Sequence, residues 1–403
     1  GVPPHGPHHF YAAIALIHSQ DNHITGVEDC RRHIVPVTDN HCCTRIVGDG
    51  VHSFGQFTRI QDAINSLPVE GGKVCVREGL YPEEIIIGDD RGPIVIEGCG
   101  EHTVLVTPDA PAQPAIINVA DTREGVTVTS LKMRAKRGAI DVNNVRNIRL
   151  LDLDIIEEEP VTGDTSEVPL IRAILGRHLE LRSLRIDTVR STTPPPNVPA
   201  VSLDGKTHVF ADSEITTRSR IGIEFNGTLA RFERLNVLQT AFPGLLPRSA
   251  IRLGESAEEA RIEHCRLALR GELGDDAVVD ISGRRIVVSD NELITEDVSA
   301  PFAWGGAHLR SGDHIEFRNN RITGGSGHGI TLGSVLWQAE AGGDFHREGG
   351  GKRQHRLDGI NGGDLRDGYA DAAAGVQFIA RADAALDNVL ISGNHIEFMQ
   401  GNG

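Results

Sequence analysis

The chain has 403 residues, a formal net charge of −16, 4% aromatic residues and 46 glycines. The acidic balance argues against nucleic acid, which selects basic surfaces, and weakly against polyanions such as unesterified pectate unless a cation intervenes. No run approaches the length of a transmembrane helix, so membrane insertion is excluded as well.

Residues 1–45 read as an irregular N-terminal segment containing Pro, His and Cys. Pro3-Pro4-His5-Gly6-Pro7-His8-His9 is too rich in proline for regular structure, and Phe10 to Ile17 reads as one apolar strand. Cys30, Cys42 and Cys43 lie close to His33 and His41, a cluster that could hold zinc or a disulfide but lacks a two-pair C-x-x-C spacing. Cys75, Cys99 and Cys265 are expected to act as small buried hydrophobes. After Gly48-Asp49-Gly50, the stretch Phe57 to Leu67 predicts an amphipathic helix with Ile60, Ala63, Ile64 and Leu67 on one face. Lys73 to Arg77, Ile85 to Ile87 and Ile94 to Ile96 are the first strands. Such a helix would cover the apolar core and unpaired strand edges at the open end of a stack.

From about Val95 onward a strand-and-turn pattern returns roughly every 20 to 30 residues. Its clearest copies are Gly222-Ile223-Glu224-Phe225, Ala250-Ile251-Arg252-Leu253 and Gly329-Ile330-Thr331-Leu332. A second strand follows about ten residues later, as at Ile286–Leu293, Ile315–Ile322 and Val389–Ile396. Two or three strands per repeat without a helical pattern between them predict an all-β chain, a parallel β-helix or solenoid, occupying residues 46–403 around one continuous core. Ser213, Cys265, Asn291, Asn320 and Asn394 align at the turn after the second strand, where stacked amides can satisfy backbone groups along the solenoid. No signal-peptide pattern follows the first glycine, and the last coil stops abruptly at Gln400-Gly401-Asn402-Gly403. The chain therefore reads as a fragment of a longer protein, with a β-helix truncated at its C-terminus and export signals beyond it.

The stretch from Gly48-Asp49-Gly50 through Phe57-Thr58-Arg59-Ile60-Gln61-Asp62-Ala63-Ile64 to Gly79-Leu80-Tyr81-Pro82-Glu83-Glu84 resembles the capping helix and first coil of the pectin-lyase-like superfamily. The resemblance covers about residues 45 to 403. It implies a right-handed parallel β-helix with an N-terminal capping helix. It does not choose an activity, because the superfamily includes polysaccharide lyases, polygalacturonases, pectin esterases, epimerases and phage-tail spikes.

Setting the repeats in register predicts one outward-facing row: Asn118, Asp141, a place near Arg172, Ser202, Glu224, Arg252, Asp280, His308 and Thr331. Coils about 4.8 Å apart make Glu224, Arg252, Asp280 and His308 an ionisable ladder, its two carboxylates roughly 10 Å apart. That separation suits water-mediated inverting hydrolysis, and an arginine or histidine beside a carboxylate suits proton abstraction by a lyase. The same alternation also makes a plain surface salt-bridge ladder. Extra residues gather before the first strand of the repeat, at about 157–168, 188–198, 240–248 and 295–305, and one insertion, about 334–374, follows it. Loops on both sides would wall the row into a groove. Trp304 and Trp337 lie in these loops, where they could stack on sugar rings or pin the loops down.

Gly327-His328-Gly329-Ile330 is similar to the Gly-His-Gly motif of polygalacturonases, and Gly274-Asp275-Asp276-Ala277-Val278 to their paired-aspartate motif. The resemblance implies catalytic roles for Asp275, Asp276 and His328. The chain departs from that family in placing the motifs two coils apart and in lacking its Asn-Thr-Asp and Arg-Ile-Lys segments, and any coil of this repeat tends to write a small residue before Ile-x-Leu.

Two functions remain open. In one, a glycoside hydrolase or polysaccharide lyase uses Glu224 and Asp280 as acid and base, Arg252 and His308 to bind charge, and Trp304 and Trp337 to stack sugars. In the other, a non-catalytic glycan-binding or structural module serves as a spike or fibre of a phage-tail-like or cell-surface assembly. The reading leans to a carbohydrate-directed protein, extracellular or particle-associated, with a polysaccharide or glycan partner and room for homo-oligomerisation. No cofactor or protein metal site is assigned. Asp89-Asp90 and Asp275-Asp276 could serve as calcium ligands, although adjacent carboxylates in loops are more often solvated.

Overall fold

A computed structural model describes residues 15–20, 23–29, 43–88, 92–122, 124–159, 168–188, 198–241, 248–271, 276–296, 306–324, 329–333, 335–339, 356–357, 376–380 and 386–397. Strand dominates it. One large sheet of 25 strands runs through the chain, and its strands pair with equivalents one coil later rather than with hairpin neighbours. The pairings are parallel and regular: Ile140 faces Ile171, then Val201, Ile223, Ile251, Val279, Ala307 and Ile330 in successive coils. A second ladder runs Leu150, Leu181, Phe210, Phe232, Ile262, Val288, Phe317 and Ile391. Every member of both ladders up to Phe317 is buried.

The repeat is explained by these columns. Alternation places every second side chain inside, and aliphatic or aromatic residues at those places stack like on like from coil to coil. Each fully buried Ile, Leu or Phe contributes about 1.5–3 kcal/mol relative to an exposed one, so a coil that keeps its inward places apolar is held by the coil before it and after it. Phe225 meets Phe232 edge-on at 5.8 Å, a favourable aromatic geometry inside the stack. At the corner between the two strands the backbones approach too closely for a side chain. Gly205 has φ +130, and a Cβ there would lie 2.1 Å from the Gly176 carbonyl oxygen of the preceding coil.

The predicted turn ladder is present. Asn291 Oδ1 accepts from the Cys265 amide at 2.8 Å, Asn320 Oδ1 from the Asn291 amide at 3.1 Å, and Asn394 Oδ1 from the Asn320 amide at 2.9 Å. Their Nδ2 groups donate to the carbonyls of Ile262, Val288 and Phe317. Buried backbone groups at the turn are satisfied by the next coil's amide, which is the chemistry expected of this row.

The predicted helix forms over Ile60–Asn65 and buries Ile60, Ala63 and Ile64. Its N-cap, Arg59, provides no side-chain cap. Glu83 of the first coil does so instead, accepting from the amides of Ile60 at 2.7 Å and Gln61 at 3.2 Å. Burial raises the Glu83 pKa, and these two amide bonds pull the other way. The cap is thus tied to the stack by an otherwise costly buried carboxylate.

Four sequence expectations are corrected here. Cys43 and Cys75 form a disulfide across 32 residues, so Cys75 is no inert hydrophobe and Cys43 belongs to no zinc cluster; Cys30, Cys42, His33 and His41 lie outside the described residues. Cys99 is exposed rather than buried, because it stands in the strand Ile94–Val106 where the ladder register breaks between Glu97 and Gly100, whereas Cys265 is buried as expected. The strand read over Phe10 to Ile17 is described only from Ala15, where it runs to Gln20, residues 10–14 lying outside the described residues; what the sequence did not suggest is its antiparallel partner, His23–Asp29, in a segment expected to be irregular. The insertion read as a loop at 334–374 opens on the strand Val335–Ala339, which pairs antiparallel with Arg356–Leu357 and Val376–Ala380.

Candidate functional site

The predicted row exists residue for residue. Asn118 is the ladder partner of Asp141, Asp141 of Arg172, Arg172 of Ser202, Ser202 of Glu224, Glu224 of Arg252, Arg252 of Asp280, Asp280 of His308 and His308 of Thr331. The uncertain place near Arg172 is Arg172 itself. The row is set by the alternation of the strands, since the residues on either side of it belong to the buried ladders.

Its character changes along the stack. Arg172 grips Asp141 in a two-point fork, Nε to Oδ1 at 2.6 Å and Nη2 to Oδ2 at 2.9 Å, and both side chains are half-buried. Ser202 and Glu224 are half-buried too. Glu224 makes no ion pair among the described residues, and the expected Glu224–Arg252 contact is not formed. Arg252 instead turns the other way, reaching Asp276 with Nη2 at 3.2 Å and Asp280 with Nε at 3.3 Å.

Those two aspartates form the core of a charged cluster. Asp276 also takes Arg248 Nε at 3.1 Å and the Ser249 amide at 3.3 Å. Asp280 takes Arg310 Nε at 2.7 Å and lies 3.5 Å from His308 Nδ1, and His308 Nε2 is 3.1 Å from the Gly333 carbonyl. Asp280 and His308 are each only 2% exposed. The sequence placed both on an open groove floor, and the structure corrects this: the row sinks into the protein from Asp280 to Thr331, so Asp280 and His308 are held rather than presented. A carboxylate flanked by two guanidiniums has its charge balanced, with Oδ1 accepting a hydrogen bond from Arg310, which fits it to fix Arg310 and Arg252 in place. Asp280 Oδ2 and Arg252 Nε, although 3.3 Å apart, are not aligned as a hydrogen bond.

Of the residues implied by the polygalacturonase resemblance, only Asp276 is described, and its two oxygens face arginines; Asp275 and His328 lie outside the described residues. Trp304 does too. Trp337 sits in the strand Val335–Ala339 opposite Phe378, and its ring is outside the described residues. The loops proposed as groove walls, 157–168, 188–198, 240–248 and 295–305, fall largely outside as well. Among the described residues no group of three or more His, Cys, Asp or Glu could hold a metal ion. The proposed calcium ligands Asp89, Asp90 and Asp275 lie outside the described residues, and Asp276 is already engaged by cations.

Arg248 and Arg310 were missed in the sequence. Arg310 was readable, because it stands two residues after His308 in the same strand, although it falls where the ladder skips a residue between Leu309 and Ser311. Arg248 had no comparable signal: it ends a loop and reaches the site only through the folding of that loop.

No protein-family model and no curated protein matches the chain. Similar solved structures include a pectin methylesterase from carrot, 10% identical, covering 67% of this chain and 88% of its own with a TM-score of 0.41. Another is the surface protein and adhesin PfbA of Streptococcus pneumoniae, 11% identical, covering 84% and 92% with a TM-score of 0.42. A third is the DFA-IIIase of Arthrobacter chlorophenolicus, 12% identical, covering 88% and 94% with a TM-score of 0.38. At these identities no residue role passes from those proteins to this chain.

Proposed function

We propose that the chain is a right-handed parallel β-helix directed at carbohydrate, with the row from Asp141 to Arg252 as its ligand face. The observation that carries this reading is Glu224. It is a half-buried carboxylate with no ion pair among the described residues, held in register between Ser202 and Arg252 on a rigid strand. A carboxylate so placed can accept hydrogen bonds from sugar hydroxyls or serve as a proton-transfer group, while the Arg172–Asp141 fork offers further polar contacts. In an enzymatic version, a polysaccharide hydrolase or lyase, Glu224 exchanges the proton. Asp280 positions Arg252 and Arg310 rather than acting as its partner acid. The Cys43–Cys75 disulfide supports a location in an oxidising compartment, extracellular or on a particle surface. No described helix is long and apolar enough to cross a membrane.

The second reading, a non-catalytic glycan-binding or structural module, is favoured by the burial of Asp280 and His308, which removes the carboxylate two coils from Glu224 that would complete a catalytic pair. One screen separates the two. The purified chain is incubated with a polysaccharide panel, with and without calcium, and both new reducing ends and ultraviolet absorbance from unsaturated products are followed. Reducing ends alone identify a hydrolase and both signals a lyase, and Glu224→Gln should then abolish turnover. Binding on a glycan array without turnover establishes the second reading. Neither binding nor turnover would sink the carbohydrate assignment.

A further inference from the structure

Almost every cationic side chain among the described residues is engaged. Exposed arginines pair from coil to coil, as Arg149 does with Glu180 at 2.9 Å, Arg266 with Glu292 at 3.2 Å and Arg270 with Glu296 at 2.7 Å. Among the described residues, Arg146, Arg177, Arg185 and Lys206 are the exceptions, with neither an ion pair nor a side-chain hydrogen bond. Three of these stand in one column. Arg146 is the ladder partner of Arg177, and Arg177 of Lys206, in three successive coils. All three are exposed.

This column is energetically odd. Coils about 4.8 Å apart place the three charges within roughly 10 Å of one another. Like charges opposite each other on a sheet are destabilising, and where arginines face each other elsewhere, at Arg231 and Arg261, each pairs with a glutamate of the same strands, Arg231 with Glu233 and Arg261 with Glu263. In a chain of net charge −16 there is no shortage of carboxylates to interleave. The column continues with Thr228 and Glu258, so the run of cations is local. It lies on a firm corner, because the ladder partners Gly176 and Gly205 immediately precede Arg177 and Lys206 and their backbones are in direct contact. It lies further along the same strands than the row through Glu224, since Arg177 follows Arg172 within Ile171–Arg182 and Lys206 follows Ser202 within Val201–Ala211, past the register shift between Ala173 and Gly176.

We propose that Arg146, Arg177 and Lys206 form a binding site for a linear sulfated glycan that runs along the stacking direction and offers one anionic group per coil. The row matches a flexible, single polyanionic chain touching only these three positions. A nucleic-acid duplex, with a charge about every 1.7 Å of its axis, would bring many phosphates against the acidic remainder of the surface. Two of the three cations are guanidiniums, weakly hydrated forks suited to an anion with several oxygens. The site is independent of Glu224, so its failure leaves the polysaccharide screen untouched, and the reverse holds.

The test is heparin binding by the full chain across a series of salt concentrations. The wild type should be retained on immobilised heparin, and the triple variant Arg146→Gln, Arg177→Gln, Lys206→Gln should bind at least tenfold more weakly. The slope of log K against log salt should flatten by roughly one for each cation removed. Arg185→Gln, which removes an equally unpaired cation outside the column, should bind as the wild type does. Passage of the wild type through the column at low salt would overturn the site. So would wild-type affinity in the triple variant with an unchanged thermal midpoint. Equal affinity for polygalacturonate or for an oligothymidylate would overturn the assignment to sulfate.

Discussion

Arg172 and Arg220 each reach back to a carboxylate from an earlier coil, yet they belong to different classes of interaction. Arg172 is 32% exposed and forks onto Asp141 at the surface of the row. Arg220 is fully buried, bonds Glu157 at 2.6 Å, and also donates to the carbonyls of Val198 at 3.0 Å and Pro199 at 2.7 Å. Glu157 is itself largely buried, and this raises its pKa while the Arg220 charge opposes the rise. The first contact decorates a face that water can reach. The second ties together coils separated by 63 residues at the bases of loops, and it has no solvent to fall back on. The same residue types, in the same kind of repeat, are thus set to display chemistry in one place and to hold the molecule together in another.

The contrast is sharpest under mutation. Arg220→Met should be the most damaging change, costing about 3–5 kcal/mol because it strands Glu157 in the interior, and urea denaturation should show it. The paired change Arg220→Met with Glu157→Leu should recover much of that loss. Cys43→Ser should cost about 3 kcal/mol, as expected for a crosslink closing 32 residues, with the same loss produced in the wild type by a reductant.

Acid should act through the interior as well. His208 lies edge-on to Phe225 at 5.9 Å, and burial lowers its pKa to about 4. Its folded pKa is below the unfolded one, so the unfolded chain takes up the proton first as pH falls. The associated stability is present above about pH 6.5 and is lost towards pH 4, about 3 kcal/mol in all. His208→Leu should flatten the dependence of stability on pH across that window. Arg172→Gln should have the smallest effect, below about 1 kcal/mol, since a half-exposed pair is screened and contributes little. A loss as large as that of Arg220→Met would erase the distinction drawn here.

Much of the organisation was readable from the sequence because a two-residue period and a coil-length repeat constrain each other. Once Ile223, Ile251 and Val279 are taken as inward, Glu224, Arg252 and Asp280 have to share the other face, and the asparagines at 291, 320 and 394 have to stack. The helix over Ile60–Asn65 followed from its apolar face in the same way. The cystine did not follow, because Cys43 and Cys75 are distant in sequence and neither belongs to the repeat. Nor did Glu83, which caps the helix from a different element.

What the sequence by itself determined is therefore the order of side chains along each column, because alternation leaves no other choice once the core is known. What only the tertiary structure decided is the fate of each member of a column. Asp141 and Asp280 occupy equivalent places, but the first lies near solvent and the second is enclosed by Arg252, Arg310 and His308. Periodicity is a property of the strand, whereas burial depends on every segment that packs over it, and residues such as Arg248 come from outside the repeat altogether.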